Sequence, residues 1–154
     1  DFTIEAWVYQ TAAAGSSPGD RHPIVARMSH EVDRSFHFGI VGDSGAQKLQ
    51  FSFTSNGSGS TQYEFGGDVT INNWHHVAVV RSGSTVTGFL NGTALGTTGN
   101  IGTSSIFVGH SPLTIGYRGL SEQYFQGFID DFRIIKGTAV YTSDFTPPGA
   151  HGPG

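Results

Sequence analysis

The stretch Trp74-His75-His76-Val77-Ala78-Val79-Val80-Arg81, then Ser82-Gly83-Ser84, then Thr85-Val86-Thr87-Gly88-Phe89-Leu90-Asn91-Gly92-Thr93 decides the fold. Two runs rich in β-branched residues flank a short turn of small residues. Asn91-Gly92 closes the second run. Asn-Gly is the favoured pair of the type I′ hairpin turn, in which both central residues take positive φ. The stretch therefore predicts a β-hairpin. Alternation places Trp74, His76, Ala78 and Val80 on one face, and His75, Val77, Val79 and Arg81 on the other.

Similar short runs lie on both sides. Residues 2–9, 23–28, 36–41, 49–53, 63–65, 69–71, 106–108, 113–117, 125–135 and 139–141 read as strands, and Ala94-Leu95 extends the hairpin. Gly42-Asp43-Ser44-Gly45 marks a turn between two of them. No segment sustains helical spacing of apolar residues. We expect an all-β fold, a two-sheet antiparallel β-sandwich. Residues 1–141 form the expected domain. Residues 142–154, with Pro147-Pro148 and a Gly/Pro end, read as an extended tail or linker. The chain opens at Asp1 inside a strand pattern, so we read it as a piece of a longer or processed protein.

Composition narrows the function. Charged residues make up 13% of the 154 positions, about half the usual share of roughly 25%. The net charge is −4, and no basic stripe exists to neutralise phosphates, which argues against nucleic acid. No apolar run approaches the roughly 20 residues of a membrane helix, so no membrane insertion is expected. There is no cysteine, which excludes disulfides and thiolate metal sites.

Four segments carry a resemblance to a known family. They are Phe2-Thr3-Ile4-Glu5-Ala6-Trp7-Val8-Tyr9, the Trp74 run with Asn91-Gly92, Pro112-Leu113-Thr114-Ile115-Gly116, and Phe125-Gln126-Gly127-Phe128-Ile129-Asp130-Asp131-Phe132-Arg133-Ile134. In this order the chain resembles the laminin-G-like, concanavalin A-like β-sandwich modules. The ending, residues 136–148, is similar to modules of phage and microbial surface proteins. The resemblance implies a jelly roll that binds glycans or proteins, or serves as a spacer. It also implies calcium in some members, and Asp131 or Glu5 is where we expect an ion. We therefore expect a non-catalytic, carbohydrate-binding recognition module located extracellularly, on a cell surface or on a virion. The competing expectation is a structural building block of a fibre, filament or capsid decoration, in which the partner is another copy or a surface protein.

Glu31 and Asp33 share a strand face, as paired hydrolase carboxylates would. The further acid such a site requires is missing, since Arg34, Ser35 and Phe36 follow. Gly42-Asp43-Ser44-Gly45 looks like a protease nucleophile loop, but no matching histidine segment exists and a turn explains it. His75 and His76 point to opposite faces and cannot easily share one ion. Asp130 shares an apolar face with Phe128, Phe132 and Ile134 by alternation, so it needs a donor, either His76 or a backbone amide. Trp74, His76 and Asp130 are thus structural. The loop carrying Tyr117, Arg118, Gln123 and Tyr124 mixes aromatic, charged and amide groups, as a sugar site requires, and is the expected ligand contact. Asn56 and Asn91 fit the N-glycosylation acceptor pattern, although both fall in predicted turns.

Overall fold

The computed structural model describes residues 1–17, 20–29 and 32–149. The Trp74 run forms β6 (Trp74–Ser82), which pairs antiparallel with β7 (Thr85–Leu90) across a turn at Gly83. β7 returns into β8 (Thr93–Asn100) through Asn91 and Gly92, whose φ angles are 51° and 81°. That is the I′ turn the sequence demands.

The remaining strands are β1 (Phe2–Gln10), β2 (His22–Met28), β3 (Arg34–Asp43), β4 (Ala46–Phe53), β5 (Thr61–Glu64), β9 (Thr114–Ile115), β10 (Tyr117–Arg118), β11 (Gln123–Tyr124) and β12 (Gly127–Lys136). They build two five-stranded antiparallel sheets, β12-β1-β6-β7-β8 and β5-β4-β3-β2-β9, with β10 and β11 as a separate small hairpin. The fold is the expected all-β sandwich. Ser44 and Gly45 turn β3 into β4 with positive φ, so the protease-like loop is a hairpin turn. No helix long and apolar enough to cross a membrane occurs among the described residues.

Between the sheets pack Ile4, Ala6 and Val8 of β1, Val77 and Val79 of β6, Phe38 and Ile40 of β3, and Leu49 and Phe51 of β4. The opposite face of β6 is buried as well. Ala78 and Val80, with Phe89 of β7, pack beneath Ala139, Tyr141 and Phe145. This is why Val77-Ala78-Val79-Val80 is an unbroken apolar stretch: the middle of a central strand covered on both sides has no solvent face.

The cover is a strap made by residues 138–148. Thr3 Oγ1 donates to Thr138 O and accepts from Val140 N. Ala94 N donates to Asp144 Oδ1, Phe145 N to Gly92 O, and Trp7 Nε1 to Pro148 O. Gly92 is required at this contact, since a Cβ there would lie 1.9 Å from Phe145 O. Residues 142–149 therefore lie along the sandwich, while residues 150–154 lie outside the described ones.

Three expected strands, 69–71, 106–108 and 139–141, are not strands. Their apolar side chains serve packing instead: Val69 is buried in the core, Ile106 packs against its edge, and Ala139 belongs to the strap.

A bulge corrects the expected face of β12. Glu5 opposes Arg133 and Trp7 opposes Asp130, so Asp131 and Phe132 together face Ala6. Asp131 has φ 47°, a left-handed conformation that Asp tolerates better than most residues. The extra residue reverses the alternation. Ile129 and Phe132 pack into the core. Phe128 and Asp130 face outward with Tyr9 and Trp7, and Arg133 is aimed at Glu5.

Candidate functional site

Two cavities lie at opposite ends of β1. One, of about 410 Å³, opens between the sheets at Phe2, Phe36, Ile106 and Ile134 and is mostly apolar. The other, of about 330 Å³, lies at the Gln10 end and is polar; Asp20, Arg21, Glu122, Gln123, Tyr124 and Gln126 line it. Convergent polar groups beside an aromatic ring make the second the candidate site.

Its first wall is the loop after β1. Gln47 holds this loop by accepting from Ala14 N at 2.7 Å and donating to Ala14 O at 3.2 Å. Thr11 N donates to Gln126 O at 3.0 Å, which joins the loop to the start of β12. Gln10 Nε2 donates to His22 Nδ1 at 2.9 Å. Burial pulls the His22 ring below the usual histidine range, against the opposing charge of Asp20, so it is neutral near pH 7.

The second wall is the β10–β11 hairpin, which holds all four expected ligand residues. Positive φ at Ser121 and Glu122 reverses the chain. Tyr117 opposes Tyr124, and Arg118 opposes Gln123. The tyrosine rings lie 4.9 Å apart, and Tyr124 is 61% exposed. Arg118 and Gln123 instead point inward. They are buried, and Arg118 donates to Gln123 Oε1 at 2.7 Å and to Met28 Sδ at 3.3 Å. The pair fixes the hairpin and leaves the Tyr124 ring exposed beside the half-buried Tyr117.

An aromatic row that alternation within single strands does not assemble lies near the Gln10 end of β1, on the outer face of its sheet. Tyr9 opposes Phe128 on one side and Trp74 on the other. The ring centroids are 6.0 and 5.7 Å apart. The run of residues 2–9 and the Trp74 run supplied the strands, and only the register between them places these rings together.

The acid that meets His76 is Glu5, not Asp130. His76 Nε2 lies 3.3 Å from Glu5 Oε2, and Arg133 binds the other oxygen. Burial would raise the Glu5 carboxyl, but contacts from His76, Tyr141 and Arg133 hold it down at about 2. Asp130 accepts from the amide of Asp131 at 2.9 Å, which is the backbone-amide alternative. Trp74 stands in the aromatic row, and His76 packs edge-on between Trp7 and Phe145.

A hard cation needs six to eight oxygen ligands. Glu5 does not fit that role, because Arg133 and His76 already engage its oxygens under the strap. Among the described residues no group of three or more His, Asp or Glu could hold a metal ion, and this includes the surroundings of Asp131.

Glu31 lies outside the described residues. Asp33 accepts from Ser111 Oγ at 2.7 Å and from His110 N at 2.8 Å. The Ser111 hydroxyl and the His110 amide pull its carboxyl below the usual range, so Asp33 anchors the loop before β9. His75 bonds Thr70 and Asn91 while His76 faces Glu5, so the neighbouring histidines are separated as alternation requires. Asn91 uses its side chain to tie the turn to β6, accepting from His76 N. Asn56 organises the exposed turn after β4 in a similar way, accepting from Ser58 N.

The family model of the concanavalin A-like lectin/glucanases superfamily, Laminin_G_3, matches residues 1–140, and the chain belongs to this family. No curated protein sequence matches it. The carbohydrate-binding module CBM40 of a Ruminococcus gnavus sialidase has a similar fold, with TM-score 0.65 and 14% identity over 86% of this chain and 74% of that one. Domain 4 of AbnA, an extracellular GH43 arabinanase of Geobacillus stearothermophilus solved with arabinotriose, gives TM-score 0.59 and 18% identity over 86% of this chain and 59% of that one. Domains LG4-5 of the mouse laminin α1 chain give TM-score 0.60 and 15% identity over 96% of this chain and 38% of that one. The chain thus spans less than two thirds of the arabinanase and laminin chains. At these identities the likeness shows the fold.

Proposed function

We propose that this chain is a non-catalytic glycan-binding module that takes a sugar at the cleft between the loop after β1 and the β10–β11 hairpin. The observation that carries this is the exposed Tyr124 ring, braced by Tyr117, beside the polar groups of Asp20, Arg21 and Gln126. A sugar has an apolar ring face and a rim of hydroxyls. An aromatic face with amide and charged neighbours matches both. Support also comes from structures of like fold that hold sialyllactose and arabinotriose. Such a module would serve attachment outside the cell, on a cell or virion surface, where glycans are met.

Tyr124→Ala tests this on a glycan array followed by calorimetry of the strongest ligand. We expect the affinity to fall about tenfold or more, the worth of one well-placed aromatic contact, with the melting curve unchanged. Equal affinity in the variant would remove the cleft from the function.

A second reading, a structural building block that assembles with its own copies, has one observation in favour. Leu113 and Ile115 are apolar and exposed at β9, a two-residue edge strand. Sedimentation over a wide concentration range should then show association that Ile115→Lys abolishes. A monomer throughout ends this reading.

A further inference from the structure

Two facing rows of side chains build the apolar cavity at the other end of β1. In one sheet Phe2 opposes Lys136 of β12 on one side and Arg81 of β6 on the other. In the other sheet Phe36 opposes Arg27 of β2 and Phe53 of β4. Alternation makes each cation the end of an inward-facing series. Val77 and Val79 lead to Arg81, Phe132 and Ile134 lead to Lys136, and Val25 leads to Arg27. Three of the eight Lys and Arg residues of an acidic chain thus line one cavity of about 410 Å³.

Loop anchoring explains part of this. Arg27 donates to Ser111 O and Gly109 O. Arg81 donates to Gly83 O, Ser104 O and Gly102 O. These acceptors are neutral carbonyls, and a guanidinium has five N–H donors. Each arginine therefore keeps unused donors and an unopposed charge. Among the described residues no carboxylate pairs with Arg27, Arg81 or Lys136, although Arg133 and Lys48 both have acids. Asp1 is the one acid of the lining, and its carboxylate accepts from Gly83 N. The apolar lining is also left open. Ile134 faces inward yet is 38% exposed, and Val108 on the lip is 76% exposed. An uncovered apolar floor inside a rim of unpaired positive charge complements an amphiphile with a negative head. A sugar fits poorly, because its hydroxyls would meet Phe2, Phe36 and Ile106 without partners.

We propose that this cavity binds a free, monomeric alkyl carboxylate of medium chain length. The tail lies between the sheets against Phe2, Phe36, Ile106 and Ile134. The carboxylate stays at the rim with Arg27, Arg81 and Lys136. The volume falls at the lower end of the usual small-molecule range of roughly 300–1,000 Å³. That suits one short tail and not the paired tails of a membrane lipid. The site stands apart from the glycan reading, since the two cavities lie at opposite ends of β1.

The test is calorimetry with octanoate, octanol and octyltrimethylammonium below their micellar range. Octanoate should bind, octanol about tenfold more weakly, and the cation not at all. Affinity should rise about fourfold per methylene from hexanoate to octanoate, as burial of each CH₂ group requires. Lys136→Glu, at an exposed and unpaired position, should weaken octanoate about fivefold and leave octanol unchanged. Ser105→Trp, on the exposed lip, should block octanoate with the melting curve unchanged. Tyr124→Ala should bind octanoate as the wild type does, whatever its effect on glycans. Absence of octanoate binding, equal affinity for octanol, or binding that survives in Ser105→Trp overturns the proposal. Two other occupants would also overturn it. One is an anionic membrane, if phosphatidylglycerol vesicles bind and octanoate does not. The other is a second copy, if Ser105→Trp abolishes self-association and octanoate does not bind.

Discussion

Glu5→Ala is expected to lower the stability at pH 7 by about 3 kcal/mol, the low end of the range for breaking a buried ion pair. Glu5 sits mid-strand in β1 with its side chain 3% exposed. It joins three elements: β6 through His76, β12 through Arg133, and the strap through Tyr141. Removing the carboxylate leaves the His76 ring without its acid beneath Phe145 and frees Arg133 to water. Arg133 is half exposed, so it recovers hydration, which keeps the loss at the low end. Glu5→Gln should lose less, because it keeps the shape and one acceptor. The pH dependence identifies the cause. The Glu5 carboxyl titrates at about 2 in the fold against 4.5 ordinarily. Its stabilisation is complete above about pH 4.5 and disappears as the pH falls toward 2. Urea unfolding of wild type and Glu5→Ala should therefore differ at pH 7 and converge near pH 2.5. A gap that persists there would mean lost packing rather than lost charge.

The sequence declares its hairpins clearly because turn chemistry is local. Asn91-Gly92 and Ser44-Gly45 need no distant information to form their turns. The strap was harder to read. Residues 142–148 carry no strand period because they pair with no ladder, so composition alone suggests a linker. The signal lay elsewhere, in Ala78, Val80 and Phe89, whose apolar side chains required a cover. The bulge at Asp131 hid the partner of Glu5. Strict alternation put Asp130, Phe132 and Ile134 together, and only the observed register shows that one inserted residue turns Arg133 toward Glu5. The mixture of aromatic, charged and amide groups in 117–124 is legible in the sequence, but its hairpin pairing is not. Alternation within two-residue strands then decides which members face out: Tyr117 and Tyr124 share one side, and Arg118 and Gln123 share the buried one. The Phe128–Tyr9–Trp74 row could not be read in advance, because it exists only across three strands distant in sequence.

Acidification is expected to destabilise the protein in two stages, and the first belongs to buried histidines. His37 lies on the outer face of β3, 1% exposed, with neither ring nitrogen hydrogen-bonded. Burial, and then the charges of Arg118 and Arg21, hold it well below the usual histidine range. His22 is lowered too, by burial against the opposing charge of Asp20. A group with a depressed folded pKa stabilises the fold above its unfolded pKa, and that contribution is lost as the pH falls through the gap. For histidine the loss begins near 6.5, with a limiting slope of about 1.4 kcal/mol per pH unit for each ring. Glu5 adds its share only below about pH 4.5. His37→Leu separates the contributions. At pH 8 the variant should be as stable as wild type or more so, since two unpaired polar atoms leave the interior. Between pH 6 and 4.5 its stability should fall about half as steeply. Denaturant midpoints measured across pH 8 to 4.5 provide the check, and an unchanged slope in His37→Leu would place the proton uptake on other groups and refute the role given to this ring.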